Sequence, residues 1–403
     1  MHSKLTGIPA AIATTCLLAA GPAAAVSTTF GDTEFSLGGY IKLDAVYSSY
    51  SDAPGGNAPA DRGRAFTIPA LIPVESAGSD RDGATDFTAR ESRFNIGTTT
   101  SKNGHRIKTF IEVDFLDPAF DGALANEERL VNSSNPRMRH AFVAWDDPNG
   151  NSWLFGQTWS TFMDLGAYPD LLDFIGPSEG MTFIRQTQVR YTRGPLQIAL
   201  ENPETTVLPN ANTGGGGFND NENLPDLVGK LRFTRSDGSL VSFSALVRQL
   251  DGDGITPGGD KEIGYGINVS GKKMLGRDDI RFQANFGDGI GRYLGLNTAR
   301  AAVIDDTGEL DTIQAFGGYI AYRHIWTPRW RSNLSYGYFS ADHDVAFSGN
   351  GVTKEAQSVN LNLLHTPVEK LTVGGELIYS DRELESGADG SLARLQFSVR
   401  YDF

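Results

Sequence analysis

An all-β fold, a single transmembrane antiparallel β-barrel of about sixteen strands, is what this 403-residue chain predicts, and three observations carry that prediction. The closing stretch LARLQFSVRYDF alternates Leu395, Phe397, Val399, Tyr401 and Phe403 with Arg394, Gln396, Ser398, Arg400 and Asp402, one oily face against one polar face, and ends on an aromatic carboxyl terminus. Period-two segments of the same kind recur along the chain, and the connections between them alternate short and long. The amino terminus carries Lys4, an apolar run over 8–20 and the small residues Ala23, Ala24 and Ala25, the order of a secretory leader cut near Ala25.

The leader 1–25 is too short in its apolar run for a membrane span of roughly 20 residues, and it contains Cys16, the chain's one cysteine. After cleavage no thiol remains, which excludes disulfides, thiolate metal sites and cysteine nucleophiles and suits an oxidising periplasm. A net charge of −14, from 35 Lys and Arg against 49 Asp and Glu, opposes nucleic acid as a partner. With no linker or composition break after the leader, 26–403 reads as one barrel domain.

The first strand, 35–49, sends Phe35, Leu37, Ile41, Leu43, Ala45 and Tyr47 one way and Ser36, Tyr40, Lys42, Asp44 and Ser48 the other. A long Gly/Pro/Asp-rich loop over 51–84 follows, then strands 85–100 and 105–115 joined by Ser101, Lys102, Asn103 and Gly104, whose Asn-Gly step suits a tight hairpin. Further short turns are expected at 147–150, 193–195, 236–238, 275–278, 327–328 and 366–369. The long connections between them are 116–134, 160–180, 203–224, 251–260, 288–312, 342–354 and 381–390. Short periplasmic turns and long extracellular loops are the asymmetry of such barrels. A soluble sandwich or propeller also yields many short strands, but not this alternation together with a leader and an aromatic end.

Parity sorts the charges. Lys42, Arg93, Arg106, Lys108, Arg137, Arg139, Arg190, Lys230, Arg232, Arg248, Arg281, Arg323, Arg394 and Arg400 fall on the polar faces of their strands, while acids crowd the loops, as in 251–262 and 381–385. The alternation slips in ARESRF (89–94), so Arg90 and Arg93 are both candidates for the inner face. Rows of guanidinium groups in a narrow, low-dielectric lumen concentrate carboxylate-bearing anions. For any single arginine the alternative is an ion pair with inward Asp44, Glu112, Asp114, Glu201 or Glu376 that braces the wall.

Several stretches resemble the DcaP-like outer-membrane porins: GYIKLDAVY (39–47), RMRHAFVAW (137–145), WLFGQTWSTFMD (153–164), LLDFIGPSEG (171–180), RQTQVRYT (185–192), ALENPET (199–205), LPDLVGKLRF (224–233) and GDGIGRYL (287–294). The resemblance spans the mature chain in order. It implies a trimeric sixteen-stranded porin passing small organic anions such as dicarboxylates, and it puts 160–180 in the role of the long loop that folds into the lumen as a constriction. Asp164, Asp170 and Asp173 would then face the arginine rows across a gap; Leu171, Leu172, Phe174 and Ile175 argue independently against full exposure of that loop.

Other signals are weaker. Asp251, Asp253 and Glu262 match a calcium-loop spacing that Ile255 and Thr256 break, leaving an acidic surface loop suited to bridging lipopolysaccharide through divalent cations. His105, His140, His324, His343 and His365 lack metal-ligand spacing, and His140, His324 and His365 share parity with apolar neighbours, which points to rim or subunit contacts. Trp153, Trp326, Trp330, Tyr322, Tyr379, Tyr401 and Phe403 suit interfacial aromatic girdles. The Gly-rich run 214–217 lacks the setting of a phosphate cradle.

The expected function is passive, anion-preferring diffusion across a Gram-negative outer membrane. Its pore-lining set is Lys42, Arg90, Arg93, Lys108, Arg137, Arg139, Arg190, Arg232, Arg248, Arg281 and Arg323, with no cofactor and no metal. Expected partners are small anionic solutes, outer-membrane lipid and lipopolysaccharide, and two further copies of the chain. The alternatives are a non-selective general porin, an outer-membrane hydrolase, for which no Ser/His set is evident, and a structural or adhesive barrel.

Overall fold

The computed structural model describes residues 26–52, 66–74, 83–116, 134–219, 222–256 and 259–403; the expected leader lies outside the described residues. Sixteen antiparallel strands close into one barrel. They are β1 (Thr33–Tyr50), β2 (Arg93–Lys102), β3 (His105–Asp114), β4 (Arg137–Asp146), β5 (Asn151–Trp159), β6 (Arg185–Arg193), β7 (Leu196–Glu201) and β8 (Asp226–Thr234). The second half comprises β9 (Leu240–Asp251), β10 (Lys261–Leu275), β11 (Asp278–Asp288), β12 (Gln314–Thr327), β13 (Trp330–Asp342), β14 (Thr353–Val368), β15 (Leu371–Leu384) and β16 (Asp389–Asp402). Closure is made by the first and last strands, paired from Tyr40↔Asp402 to Tyr50↔Leu392.

All the expected short turns appear at one end of the barrel, between β2 and β3, β4 and β5, β6 and β7, β8 and β9, β10 and β11, β12 and β13, and β14 and β15. Two details differ. Pro367 lies within β14, at a register shift between His365 and Val368, because proline cannot donate to the ladder and is tolerated at a bulge. The connection expected over 381–390 is mostly strand, with β15 and β16 running to Leu384 and from Asp389.

The expected strand 85–100 is two pieces. Ala84–Thr88 pairs with 44–48 of β1, β2 pairs with 33–40 of the same strand, and the intervening turn carries Glu91 and Ser92 to the inside, where both are buried. Two small features flank the barrel: Val26–Phe30 forms a hairpin with the start of β1, and Thr205–Leu208, Gly217–Asn219, Ala302–Ile304 and Leu310–Thr312 make a separate four-stranded sheet from two long connections.

Burial is inverted relative to a water-soluble sheet. Leu43, Val247, Ile267, Ile320, Leu361 and Val399 are exposed on the outside, while Asn268, Ser270, Asn333, Asn360, Gln396 and Ser398 are buried inside. Alternation along each strand produces both faces at once. Aromatic side chains gather near the short-turn end, with Trp153 against Tyr191, His324 against Trp326 and Trp330 stacked on His365 at 4.1 Å.

The apolar core lies within the barrel, where long connections turn inward. One cluster joins Trp159, Met163, Phe174, Ile175 and Met181 to Tyr319 of β12. Another joins Phe162, Ile290, Tyr293 and Leu294 to Val228, Leu246 and Phe339 of the wall. The connection expected as an outer loop over 288–312 is therefore partly an internal one. Because the outer face at mid-strand meets hydrocarbon, Ile320→Arg should lower barrel stability by about 2–4 kcal/mol in lipid, whereas Ile320→Leu should not; equilibrium unfolding in phospholipid vesicles measures the difference.

Candidate functional site: the lumen and its internal segment

Residues 160–184 leave the end of β5 and run across the lumen to β6, and their contacts reach far around the wall. On β1, Lys42 Nζ donates to the carbonyl of Leu172 at 2.7 Å. On β15, Glu376 accepts from the backbone N–H groups of Leu172 and Asp173. Lys230 on β8 donates to Met163 O, Arg281 on β11 to Tyr168 O, and Tyr319 on β12 to Ala167 O at 2.9 Å. Gln283 and Asn285 on β11 hold Thr182 and Gly180. The segment has little regular structure of its own, so inward wall side chains satisfy backbone groups that helix or sheet would otherwise satisfy.

Its acids are in direct contact with the wall and do not face it across a gap. Asp164 pairs with Arg232 at 3.0 Å, and Asp170 pairs with Arg331 at 2.7 Å and with Arg323 at 3.8 Å. Burial raises both carboxyls, but Lys230 and Arg232 beside Asp164, and Arg331, Arg281 and Arg323 around Asp170, outweigh it and hold both below the usual carboxylate range. Asp173 turns to the backbone, accepting from Thr67, Ile175 and Gly176, with Arg394 at 3.9 Å.

From β1 to β12 the strand cations expected on the inner face follow their strand's alternation except Arg139, which a bulge places inside, and Arg90 lies in a turn; their depths differ. Arg139 lies in a bifurcated ion pair with Glu112 and Asp114 at 2.8 Å each and is 2 % exposed. Arg248 stands 3.4 Å from Asp226 and donates to Ile290 O, beneath the second internal segment. Arg190 donates to Gln188 and to Trp159 O. These three point inward but are buried, as is Lys42 between Glu91 and Asp44.

Others reach the water-filled side. Arg93 lies over the Tyr40 ring at 4.7 Å and bonds Glu112, Arg137 makes two bonds to Asp114, and Arg281 and Arg323 share Asp279. Lys108 sits 5.6 Å over Phe110. Arg90 is half-buried in the inward turn, its carbonyl accepting from Phe115 N.

His140 corrects the expectation of a rim or subunit contact. A register shift opposite Glu112 and Val113 inserts Arg139 as an extra residue, so Arg139 and His140 are both buried inside, with His140 against Trp159 and Phe110. Asp251 of the expected acidic loop is paired with Lys261 at 2.7 Å.

Among the charged participants missed are Arg331, Lys272, Glu91 and Glu179. Arg331 and Lys272 share parity with Asn333 and Ser270, a signal present in the sequence; Glu91 and Glu179 lie in turns, where no periodicity could mark them as internal.

The family profile of the DcaP outer membrane protein matches residues 36–403. The chain belongs to the DcaP outer membrane protein family. Among solved structures, this DcaP-family barrel is similar to the outer membrane channel DcaP of Acinetobacter baumannii, with TM-score 0.74 and 22 % identity over 93 % of this chain and 99 % of that one. It also shares its fold with an anion-selective porin from Comamonas acidovorans, with TM-score 0.56 and 12 % identity over 92 % and 100 % of the two chains. A trimer form of OmpT from Vibrio cholerae follows, with TM-score 0.51 and 13 % identity over 92 % and 99 %. No curated protein matches by sequence. The family and the fold place the protein among outer-membrane porin-type barrels.

Because Asp114 and Glu112 are buried beside Arg139, Arg139→Ala should destabilise the barrel by about 3–5 kcal/mol, leaving buried carboxylates short of a partner. Arg139→Ala combined with Glu112→Gln and Asp114→Asn should recover much of that loss, read by the same vesicle unfolding assay.

Proposed function

We propose that this protein is an anion-preferring channel for small organic acids of dicarboxylate type, working by passive diffusion with no covalent step. The observation that carries the proposal is the division of exposure within the inner ion pairs. Side-chain exposure is 18 % for Arg137 against 0 % for Asp114, 26 % for Arg232 against 4 % for Asp164, and 25 % for Arg323 against 0 % for Asp279. In these three pairs the guanidinium is the wetter partner, whereas around Asp170 the two sides are about equally exposed, 26 % against 24 % for Arg331 and 25 % for Arg323. A pore wall built this way presents positive charge to a passing solute even where the pairs are formally neutral, and low-dielectric surroundings strengthen the effect.

The exposed cations form a band on the short-turn side of the internal segment. Arg232, Lys272, Arg281, Arg323 and Arg331 occupy β8 and β10–β13, with Lys272 directly opposite Arg281. Arg93, Arg137 and Lys108 stand on β2–β4. The segment 160–184 acts as the constriction, with Asp164, Asp170 and Asp173 fixing it to the wall. The outer membrane is reached after removal of the leader near Ala25, and the working assembly is a homotrimer, as in the trimer form of OmpT.

A non-selective general porin is the second reading, favoured by the near-complete pairing of Arg139 and Arg248 with inward acids. Zero-current potential across a planar bilayer under a salt gradient separates the two: anion preference is expected, and cation preference would overturn the proposal. Arg232→Gln with Arg323→Gln should reduce anion preference by several-fold without loss of the folded barrel, while added dicarboxylate should block the wild-type current. Deletion of 167–175 should raise single-channel conductance; an unchanged value would remove the constriction role. Absence of any conductance would favour an enzymatic or adhesive barrel instead.

A further inference from the structure

The far end of the internal segment rests on a part of the wall rich in glycine. Ser178–Gly180 forms a single tight turn against β12 and β13, opposite Gly317, Gly318 and Gly337. A Cβ on Gly337 would fall 2.2 Å from Glu179 Oε1 and 2.5 Å from Pro177 Cβ, and one on Gly180 would fall 2.0 Å from Gly318 O. Gly317 and Gly337 leave a notch open to this turn, and Gly180 rests directly on the backbone of Gly318 beside it.

Glu179 fills that notch. Its side chain is 1 % exposed, Oε1 accepts from Ser358 of β14 at 2.6 Å, and Oε2 has no hydrogen-bond partner among the described residues. Among the described residues the surrounding elements supply no ion-paired cation: β12 and β13 present glycines, β14 presents Ser358, and the leading charges acting on Glu179 are the carboxyls of Asp173 on its own segment and Asp381 on β15. Among the described residues no ion pair reaches it, unlike Asp164 and Asp170 on the same segment.

We infer that Glu179 in this glycine notch is a proton-sensitive latch, holding the internal segment against the wall when neutral and releasing its tip when ionised. A neutral carboxyl can occupy the site with one hydrogen bond; a carboxylate there is a buried charge without a counter-ion. Burial supports the same sense by pushing the group up from its ordinary 4.5 to about 7. The sign follows from proton linkage. The docked state holds the proton more tightly, so docking is fully present below the free value, weakens by about tenfold per pH unit between the free and docked values, and levels off above the docked one. The lumen should therefore widen as pH rises. The gating consequence rests on the reading that the lumen conducts; the latch itself does not.

The test pairs two readouts on folded full-length protein, comparing wild type with Glu179→Gln. Amide hydrogen exchange over 176–182, taken as the ratio of wild type to variant at each pH, should rise by about 30-fold between pH 5.5 and 8. Single-channel conductance of wild type should step up over the same interval, while Glu179→Gln stays at the low-pH level throughout. Gly337→Ala, which crowds the notch, should give fast exchange already at pH 5.5. An exchange ratio that does not change with pH would overturn the latch, as would a conductance step that survives in Glu179→Gln. A pH-dependent exchange ratio without any conductance would uphold the latch and remove the conduction reading instead.

Discussion

Hydrocarbon offers no hydrogen bonds, so every backbone N–H and C=O that crosses it must find its partner within the protein. A sheet meets that demand only by closing on itself, which here falls to the eleven-residue register between Tyr40 and Tyr50 of the first strand and Leu392 and Asp402 of the last. The remaining architecture follows from closure. A closed sheet has two separate faces, and the strict two-residue alternation assigns apolar side chains to lipid and polar ones to the enclosed space.

That enclosed space is then solved by opposite means in different places. The wall contributes Asn, Ser, Gln and paired charges, which hydrogen-bond to the backbone of whatever enters. The internal segments contribute most of the apolar side chains, and these pack against one another and against wall residues such as Leu246, Tyr319 and Phe339: Phe162 and Tyr293 meet edge to face, and Phe174 and Phe183 do the same. A segment crossing a polar lumen is thus anchored at its backbone and cored by its own side chains. Its acids reinforce the anchoring wherever an arginine stands behind them, and Glu179 marks the place where none does.

The ion pairs have a direction as well as a distance. Where aspartate is short and lies close to the sheet, and arginine is long and planar, the carboxylate sinks between strands while the guanidinium extends toward water. For Arg137 with Asp114 and for Arg323 with Asp279 this turns the positive partner toward the lumen, in a protein whose total charge is −14. The acids that set that total lie mainly in the long connections.

Strand number, the positions of the short turns and the inward face of Lys42, Arg137, Arg232, Arg281 and Arg323 were legible in the sequence, because alternation and turn chemistry are local properties of the chain. Family membership was legible too, from motifs distributed over its whole length. What could not be read locally was decided by packing. A single extra residue opposite Glu112 and Val113 turned His140 inside, and the break at 89–92 placed Glu91 against Lys42. Arg139 and Arg248 became buried braces while Arg232 and Arg323 remained wet, a distinction set by which segments fold over them. The notch for Glu179 combines glycines from two strands with a turn more than 130 residues earlier in the chain, and only closure of the barrel brings those positions together.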